Sequence, residues 1–368
     1  MNAAVFNPSH ELALEANRKN FTPPQQVRRM ESDLSLFSLV WQTDGREPEV
    51  WGWNLAVREQ LKRAGVSPDV LPTDDELERW RSFSHRAFAA NYLTTFFEEL
   101  KDFQDLENLY VGSTMCFTTS LAALPVGTDE TIIVKMPFSS SGRGNVVGKL
   151  IDSSFREQVT KLMTKHGGVL VDRFYKKVLD FALEYEVRAD GTVIFLGYSV
   201  FEASTKGSYG GNVVDSQPNL KERINELLPF DVASIVEIHR SLLQQHFAGR
   251  YRGYVGIDMM VVDDGAKRKV HPCVEMNLRM NMGIAAMRLY EKLQLLSHLV
   301  AEGATYEQCL QRKNLGFLRF LSGTDFSRFH FEDLNHLLRS SMRLPLSPMR
   351  DCGFHAFLQS GRLSIAFS

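Results

Sequence analysis

Residues 254–276 decide the fold, because they contain two apolar segments on either side of a polar turn. The first segment reads YVGIDMMVV (residues 254–262), and the second reads VHPCVEM (residues 270–276). The turn signal Asp263-Asp264-Gly265 lies between them. Two apolar runs that flank a turn of this kind predict a β-hairpin.

One acidic residue interrupts each apolar run of this hairpin, Asp258 in the first and Glu275 in the second. If the turn centres between residues 266 and 267, the two carboxylates lie directly opposite each other on one face of the sheet. Such a pair repels itself and loses hydration, so a shared proton, a basic partner or a divalent cation must offset the cost.

Asn277 returns to the same face two residues after Glu275 and adds a neutral oxygen. Two carboxylates and one amide oxygen form a ligand set suited to Mg²⁺, which takes its other ligands from water and phosphates. The trio therefore predicts a magnesium site. The alternative is a salt bridge from the acidic pair to Arg279 or to another buried base.

A loop rich in Ser and Gly, PFSSSGRG (residues 137–144), joins two β-rich runs. It does not fit a dinucleotide fingerprint, because the third glycine comes one residue late and a strand follows. It does not fit a Walker A loop either, because the spacing is one residue short and Leu150 replaces the hydroxyl. The loop can still fold over phosphates with its backbone N–H groups, aided by Arg143 and Lys135. A plain surface hairpin is the alternative.

The rest of the chain reads as mixed α/β structure. Alternation over Val178–Val187 predicts a half-buried antiparallel strand. Short strands are predicted near residues 3–6, 49–53 and 70–72. Helices are predicted over residues 55–64, from Asp74 and over residues 84–101. After Gly283 the chain is predicted to be mostly helical, with a β pair near residues 353–358 and 362–367.

The composition excludes several classes of protein. With 44% hydrophobic and 23% charged residues, the 368-residue chain is neither disordered nor fibrous. Lys and Arg total 42 against 44 Asp and Glu, which gives no basic excess for nucleic acid. The four cysteines are far apart, and no apolar run is long enough to span a membrane. We therefore expect a cytoplasmic protein, without nucleic-acid or membrane partners.

The order of these segments resembles the ATP-grasp superfamily, which includes D-alanine–D-alanine ligases and biotin carboxylases. Lys135, the glycine-rich loop, the strand that ends in Asp172-Arg173-Phe174, Asp258 and the Glu275-Met276-Asn277-Leu278-Arg279 motif carry the resemblance. It covers about residues 110–300. It implies an α+β fold with a small α/β pre-ATP-grasp domain (residues 1–110) and a two-lobed core with antiparallel sheets. The core spans residues 111–300, with the small lobe at about 111–175 and the large lobe at about 176–300, and a mostly helical C-terminal extension spans 301–368.

The resemblance also implies roles for individual residues. The nucleotide site would contain Lys135, Ser140, Ser141, Gly142, Arg143 and Gly144 at the phosphates, Val171, Asp172 and Phe174 at the adenine, and Asp180 at the ribose. Asp258, Glu275 and Asn277 would bind Mg²⁺, Lys206 would be a further phosphate lysine, and Arg279, together with Asn281, would meet the substrate. Asp172 departs from the family, where Glu is more usual. No role is assigned to His10 or His271.

The implied activity is an ATP-dependent carbon–nitrogen ligase. A substrate carboxylate is phosphorylated by Mg·ATP to an acylphosphate, with release of ADP. An amine then displaces the phosphate. The expected partners are small molecules, a carboxylate and an amine such as an amino acid or peptide, and a homodimer is compatible with the fold. The alternatives are a non-catalytic nucleotide-binding sensor or scaffold and an ATP-grasp kinase of small molecules.

Overall fold

The computed structural model describes residues 4–43, 48–101, 108–139, 142–203, 209–265, 267–321, 326–348 and 352–367. The chain divides into two compact units. Unit 1 consists of Met1–Pro72, Gly211–Leu220 and Arg279–Ser368, and unit 2 of Thr73–Gly210 and Lys221–Leu278. Each unit combines segments that are distant in the sequence, and the two helices that follow Pro72 belong to unit 2.

Unit 2 opens with two helices. Its helices are α4 (Asp74–Ser84), α5 (Arg86–Leu100), α6 (Ser153–His166) and α8 (Ala233–Phe247). Its strands are β3 (Cys116–Thr118), β4 (Thr131–Lys135), β5 (Val146–Lys149), β6 (Val169–Arg173), β7 (Lys177–Val187), β8 (Val193–Ala203), β10 (Gly253–Asp263) and β11 (Arg268–Asn277). Thr73 begins α4 through a capping box with Glu76, in which each residue's side chain accepts a hydrogen bond from the backbone of the other.

Four strands of unit 2 form a small antiparallel sheet in the order β3-β6-β4-β5. Apolar side chains on one face of this sheet pack against Phe155, Val159 and Met163 of α6. β4 and β5 are joined by the glycine-rich loop, as predicted, with Thr131 opposite Lys149 and Val134 opposite Val146. The small sheet therefore holds the loop at its edge.

Four longer strands form the larger antiparallel sheet of unit 2, in the order β11-β10-β7-β8. Along β7, Phe181, Leu183, Tyr185 and Val187 are almost completely buried on one face. Asp180, Ala182 and Glu184 alternate with them and therefore lie on the opposite face. The antiparallel sheets and the mixture of helix and strand confirm the predicted fold class.

The hairpin of β10 and β11 contains an irregularity. Near the turn, Asp263 is opposite Arg268 and Met260 is opposite His271, whereas Asp258 is opposite Glu275. Two extra residues of β11 are thus accommodated between His271 and Glu275, a segment that contains Pro272. Proline has no backbone N–H, so it is tolerated at such a bulge rather than in a regular ladder.

Unit 1 begins with two short parallel strands, β1 (Ala4–Val5) and β2 (Glu49–Val50). Its helices are α1 (His10–Ala16), α2 (Gln25–Asp33), α3 (Leu55–Arg63), α9 (Met282–Ala301), α10 (Tyr306–Leu310) and α11 (Leu334–Arg339). The Asn54 side chain caps α3 by accepting from the N–H groups of Ala56 and Val57.

The strand predicted over Val70–Pro72 is wrong. Residues Pro68–Val70 form a short 3-10 helix, because Ser67 caps it and Pro68 supplies the fixed φ angle of a first helical position. Three-residue apolar runs carry too little periodicity to separate a strand from a helical turn.

The C-terminal segment contains helices followed by β12 (Leu344–Pro345), β13 (Phe354–Gln359) and β14 (Arg362–Phe367). The predicted closing pair of strands is therefore present, and β14 also pairs with residues 212–213 of β9 (Tyr209–Val213). β9 and α7 (Gln217–Asn225) each cross a boundary between the units. Within the described ranges, no helix is long and apolar enough to cross a membrane.

Candidate functional site

The predicted acidic pair is present on the larger sheet of unit 2. Asp258 lies directly opposite Glu275, and Asn277 lies opposite Gly256 on the same face. All three side chains are partly exposed, and Asn277 Nδ2 donates to Asp258 Oδ2 over 3.1 Å. A metal ion would need the amide oxygen of Asn277 instead, which a rotation of the amide supplies.

Lys135, at the end of β4, lies beside this pair. Its side chain is buried, and Nζ donates to the carbonyl oxygen of Val274 over 3.2 Å. Burial lowers the pKa of Lys135, and Arg86 lowers it further, whereas Glu275, Asp172 and Asp258 act in the opposite direction. Lys135 is therefore a cation within the field of three carboxylates, as a phosphate-binding lysine would be.

Arg86, the first residue of α5, is a site residue that the sequence reasoning missed. Its guanidinium pairs with Glu275 Oε2 at 2.8 Å and donates to the carbonyl oxygens of Met136 and Ser139 over 2.6 and 3.1 Å. The side chain is buried, and Nε has no hydrogen-bond partner among the described residues. The structure thus contains a buried base at Glu275, which is one of the two alternatives for the acidic pair, although the base is Arg86 and not Arg279.

No motif in the sequence could have identified Arg86. It is one of several charged residues at the start of a helix, and its partner Glu275 lies far along the chain. The burial of its side chain distinguishes Arg86 in the structure, but the burial of an arginine cannot be predicted from sequence periodicity.

Two predicted phosphate contacts in the glycine-rich loop, Arg143 and Gly144, are exposed. Gly142 and Gly144 adopt positive φ angles of 69° and 73°, which an L side chain rarely adopts, and Arg143 between them is exposed. The predicted contacts Ser140 and Ser141 lie outside the described residues, as does Lys206. Ser139, at the base of the loop, is buried against Arg86.

The predicted adenine strand, β6, is paired with a neighbouring strand on each side. Val171 is buried between β3 and β4, opposite Cys116 and Val134, so its backbone belongs to the sheet. The N–H of Phe174 donates to the carbonyl oxygen of Thr131 over 2.9 Å, while its ring is 40% exposed. Of these two residues, Phe174 is the one whose side chain is exposed enough to contact a planar base.

Asp172 has a different environment from the one that the resemblance implies. Its side chain is buried, and its Oδ2 lies 2.9 Å from His271 Nε2. The carboxylate therefore contacts β11 within unit 2 and does not face solvent.

Asp180, the predicted ribose contact, forms an ion pair with Lys177 at 2.5 Å. Lys177 Nζ also donates to the carbonyl oxygen of Ala203. Burial raises the pKa of Asp180, and the contact with Lys177 opposes that shift. A ribose hydroxyl would have to compete with this lysine.

In unit 1, Arg279 forms an ion pair with Glu11 of α1 at 2.5 Å and lies over the ring of Trp51. Both partners are mostly buried. Asn281, predicted to meet the substrate, instead caps α9 by accepting from the N–H of Ile284.

His10 is buried beside Glu11, and burial lowers the pKa of His10 to about 4, with Glu11 opposing the shift and Arg279 adding to it. The unfolded chain binds a proton near pH 6.5, so the folded state binds fewer protons between the two values. Stability should therefore fall by about 3 kcal/mol as the pH drops from 7 to 4. Urea unfolding of the wild type and of His10→Asn measures this, since the variant should lose that part of the pH dependence. An equal dependence of the free energy of unfolding on pH in both proteins would contradict this prediction.

The donor set of unit 2 fits Mg²⁺. Asp258, Glu275 and Asn277 supply only oxygen ligands from one face of one sheet. Within the described part of the chain, no group of three or more His, Cys, Asp or Glu side chains is arranged to hold a metal ion. The remaining ligands would come from water and from phosphates.

No protein-family model matches the chain, and no curated protein matches its sequence. Among solved structures, it is similar to the N5-carboxyaminoimidazole synthetase of Staphylococcus aureus complexed with ADP, with 12% identity and a TM-score of 0.37 over 56% of this chain and 52% of that one. D-alanyl-alanine synthetase A of Vibrio cholerae matches with 14% identity and a TM-score of 0.39 over 74% and 76%. The biotin carboxylase complex from Campylobacter jejuni matches with 14% identity and a TM-score of 0.43 over 83% and 71%.

The chain covers about half the length of the Staphylococcus aureus structure. Identities and TM-scores this low carry no argument about function. The fold is described by the chain's own contacts: two antiparallel sheets in one unit, a glycine-rich hairpin loop, and a carboxylate pair beside a buried lysine. Unit 2 thus contains the antiparallel sheets, the hairpin loop and the carboxylate pair that the sequence predicts.

Proposed function

We propose that this protein is an ATP-dependent ligase that activates a substrate carboxylate as an acylphosphate and joins it to an amine. The observation that carries the proposal is the pairing of Asp258 with Glu275, with Asn277 beside them and with Lys135 and Arg86 buried within reach of the pair. Two buried cations next to an oxygen-rich ligand set form a site for a polyanion with its counter-ion.

Each of these residues has a role in this proposal. Lys135 and Arg86 bind phosphate oxygens, and the loop from Ser139 to Gly144 covers them with backbone N–H groups and with Arg143. Asp258, Glu275 and Asn277 would hold Mg²⁺, which would neutralise part of the negative charge of the phosphates. Arg86 then exchanges its present partner Glu275 for phosphate, because the carboxylate is needed by the metal.

Catalysis in this proposal is positioning and electrostatic stabilisation. A carboxylate oxygen of the substrate attacks the γ-phosphorus, ADP leaves, and the amine then displaces phosphate from the acyl carbon. Fixed positive charge around the transferring phosphoryl group lowers the barrier. No protein nucleophile is required.

The residues assigned to adenine, ribose and substrate remain proposals. Phe174 supplies a partly exposed ring for adenine, and Asp180 requires release from Lys177 to meet the ribose. Arg279 is proposed to bind the substrate, with Glu11 holding its guanidinium. Small-molecule carboxylate and amine substrates, a cytoplasmic location and a homodimer also belong to the proposal.

The test is product analysis with purified protein, Mg·ATP and a panel of amino acids and short peptides. The proposal requires ADP and phosphate in equal amounts together with a new amide, formed only when both substrates are present. A phosphorylated product that survives without an amine would identify a kinase instead. Nucleotide binding with no turnover across the panel would favour a non-catalytic binding protein.

A further inference from the structure

The irregular segment of β11, Pro272–Val274, is bordered by polar contacts to the small sheet of unit 2. Before it, His271 Nε2 lies 2.9 Å from Asp172 Oδ2 on β6. Inside it, the carbonyl oxygen of Val274 accepts from Lys135 on β4. Directly after it comes Glu275, the proposed metal ligand. The bulge that brings Glu275 opposite Asp258 therefore contacts the small sheet through a side chain just before its start and through a carbonyl oxygen at its end.

The position of His271 is specific. Its side chain has no exposed surface, and Asp172 is 2% exposed. Gly112, with a φ of 102°, lies so close that a Cβ there would be 2.4 Å from His271 Nε2. The ring of Tyr175 meets the imidazole edge-on, with centroids 5.7 Å apart. The surrounding backbone thus leaves room for the imidazole only because residue 112 has no side chain.

Asp172 uses both of its oxygens. Oδ1 accepts from the N–H of Arg173 over 2.8 Å, and Oδ2 faces His271 Nε2. Because a carboxylate only accepts, the imidazole must carry its proton on Nε2. A buried contact of this kind is stronger than one in water and costly to leave half made.

We propose that Asp172 and His271 are positioning residues of the metal site. The pair holds the start of the bulge against β6, and Lys135 holds its end, so that Glu275 stays opposite Asp258 at a fixed distance from the small sheet. Loss of the pair lets the bulge change its conformation, which moves Glu275 out of register with Asp258. This inference rests on the proposed function, because it assigns the pair to the same Mg²⁺ site.

The experiment measures Mg²⁺ affinity directly. The wild type, His271→Leu and His271→Gln are titrated with Mg²⁺ in the presence of saturating ADP by calorimetry, and ADP affinity is measured separately in EDTA. In His271→Leu, the apparent Kd for Mg²⁺ should rise by about 10- to 100-fold, as for other partners that orient metal ligands, with ADP affinity in EDTA unchanged. His271→Gln places an amide nitrogen near the position of Nε2 and should restore most of the affinity.

Two further variants separate positioning from stability. Asp172→Leu/His271→Leu replaces both polar partners with apolar side chains, which can leave stability nearly unchanged while removing the contact. It should still show weak Mg²⁺ binding at a Tm near that of the wild type. Lys292→Met removes a buried cation in unit 1 that donates to the carbonyl oxygens of Leu39 and Gln42, and it should lower Tm without changing the Mg²⁺ titration.

The outcomes separate a failure of the proposed function from a failure of the positioning role. If the wild type shows no Mg²⁺-dependent ADP binding, the proposed function fails. If the wild type binds Mg²⁺ and ADP but the folded double variant binds Mg²⁺ equally well, the positioning role of Asp172 and His271 is overturned.

Discussion

Replacing Glu275 with glutamine is expected to reduce ATP turnover by a factor on the order of 1,000, comparable to the loss of a group that stabilises transition-state charge. Glutamine preserves the size of the side chain but removes the charge that faces Asp258 and that would hold Mg²⁺ in the proposed site. The change also leaves the buried Arg86 without its ionic partner, so a lower stability should accompany the loss of turnover. ADP release at saturating Mg·ATP and substrates measures the effect, and circular dichroism checks the fold.

Asp264→Asn is the matched control for this variant. Asp264 lies at the turn of the same hairpin, is about half exposed and pairs with Lys269. The same loss of one negative charge at that position should leave turnover close to that of the wild type. If Glu275→Gln retained wild-type turnover, Glu275 could not be a metal ligand and the proposed site would lose its central residue.

Truncation of Arg86 to alanine is expected to lower stability by about 3 kcal/mol and to abolish turnover. Removing one partner of a buried ion pair leaves the other charge without compensation, which is where a cost of that size arises. The carbonyl oxygens of Met136 and Ser139 would also lose their donor at the base of the glycine-rich loop. Urea unfolding and ADP release measure the two effects separately.

Arg86→Lys tests which property of the side chain matters. Lysine keeps the charge but cannot contact Glu275 and both carbonyl oxygens with one planar group, so stability should recover only in part. Arg79→Ala, on the exposed face of α4, removes an arginine of the same unit without such contacts and should change stability by less than about 0.5 kcal/mol. An Arg86→Ala protein as stable and active as the Arg79→Ala control would contradict the assignment.

The register of the acidic pair was predictable from sequence, although for an incomplete reason. Opposite placement of Asp258 and Glu275 followed from alternation and an assumed turn between residues 266 and 267. The strands nearest the turn actually pair about a centre between residues 265 and 266, and the bulge after His271 restores the predicted pairing. The sequence is compatible with a bulge at Pro272. The two extra residues that restore the pairing of Asp258 with Glu275, however, depend on contacts with the small sheet.

The contacts that tie the site together were not predictable. Arg86, Asp172 and His271 are separated widely in the sequence, and their association requires α5, β6 and β11 to meet. Asp172 was placed at the adenine because β6 was expected to present it there, whereas the structure buries it against His271. Alternation predicts which face a side chain occupies, but not which side chain from a distant element meets it.

The proline in β11 has a consequence for solubility. β11 is an end strand in its sheet, and an exposed strand edge can recruit strands from other chains. Near Val270 this edge is covered by backbone hydrogen bonds with Leu109 and Val111, and immediately afterwards Pro272 lacks an N–H and the bulge breaks the ladder. The edge that carries Glu275 therefore offers no continuous template for aggregation.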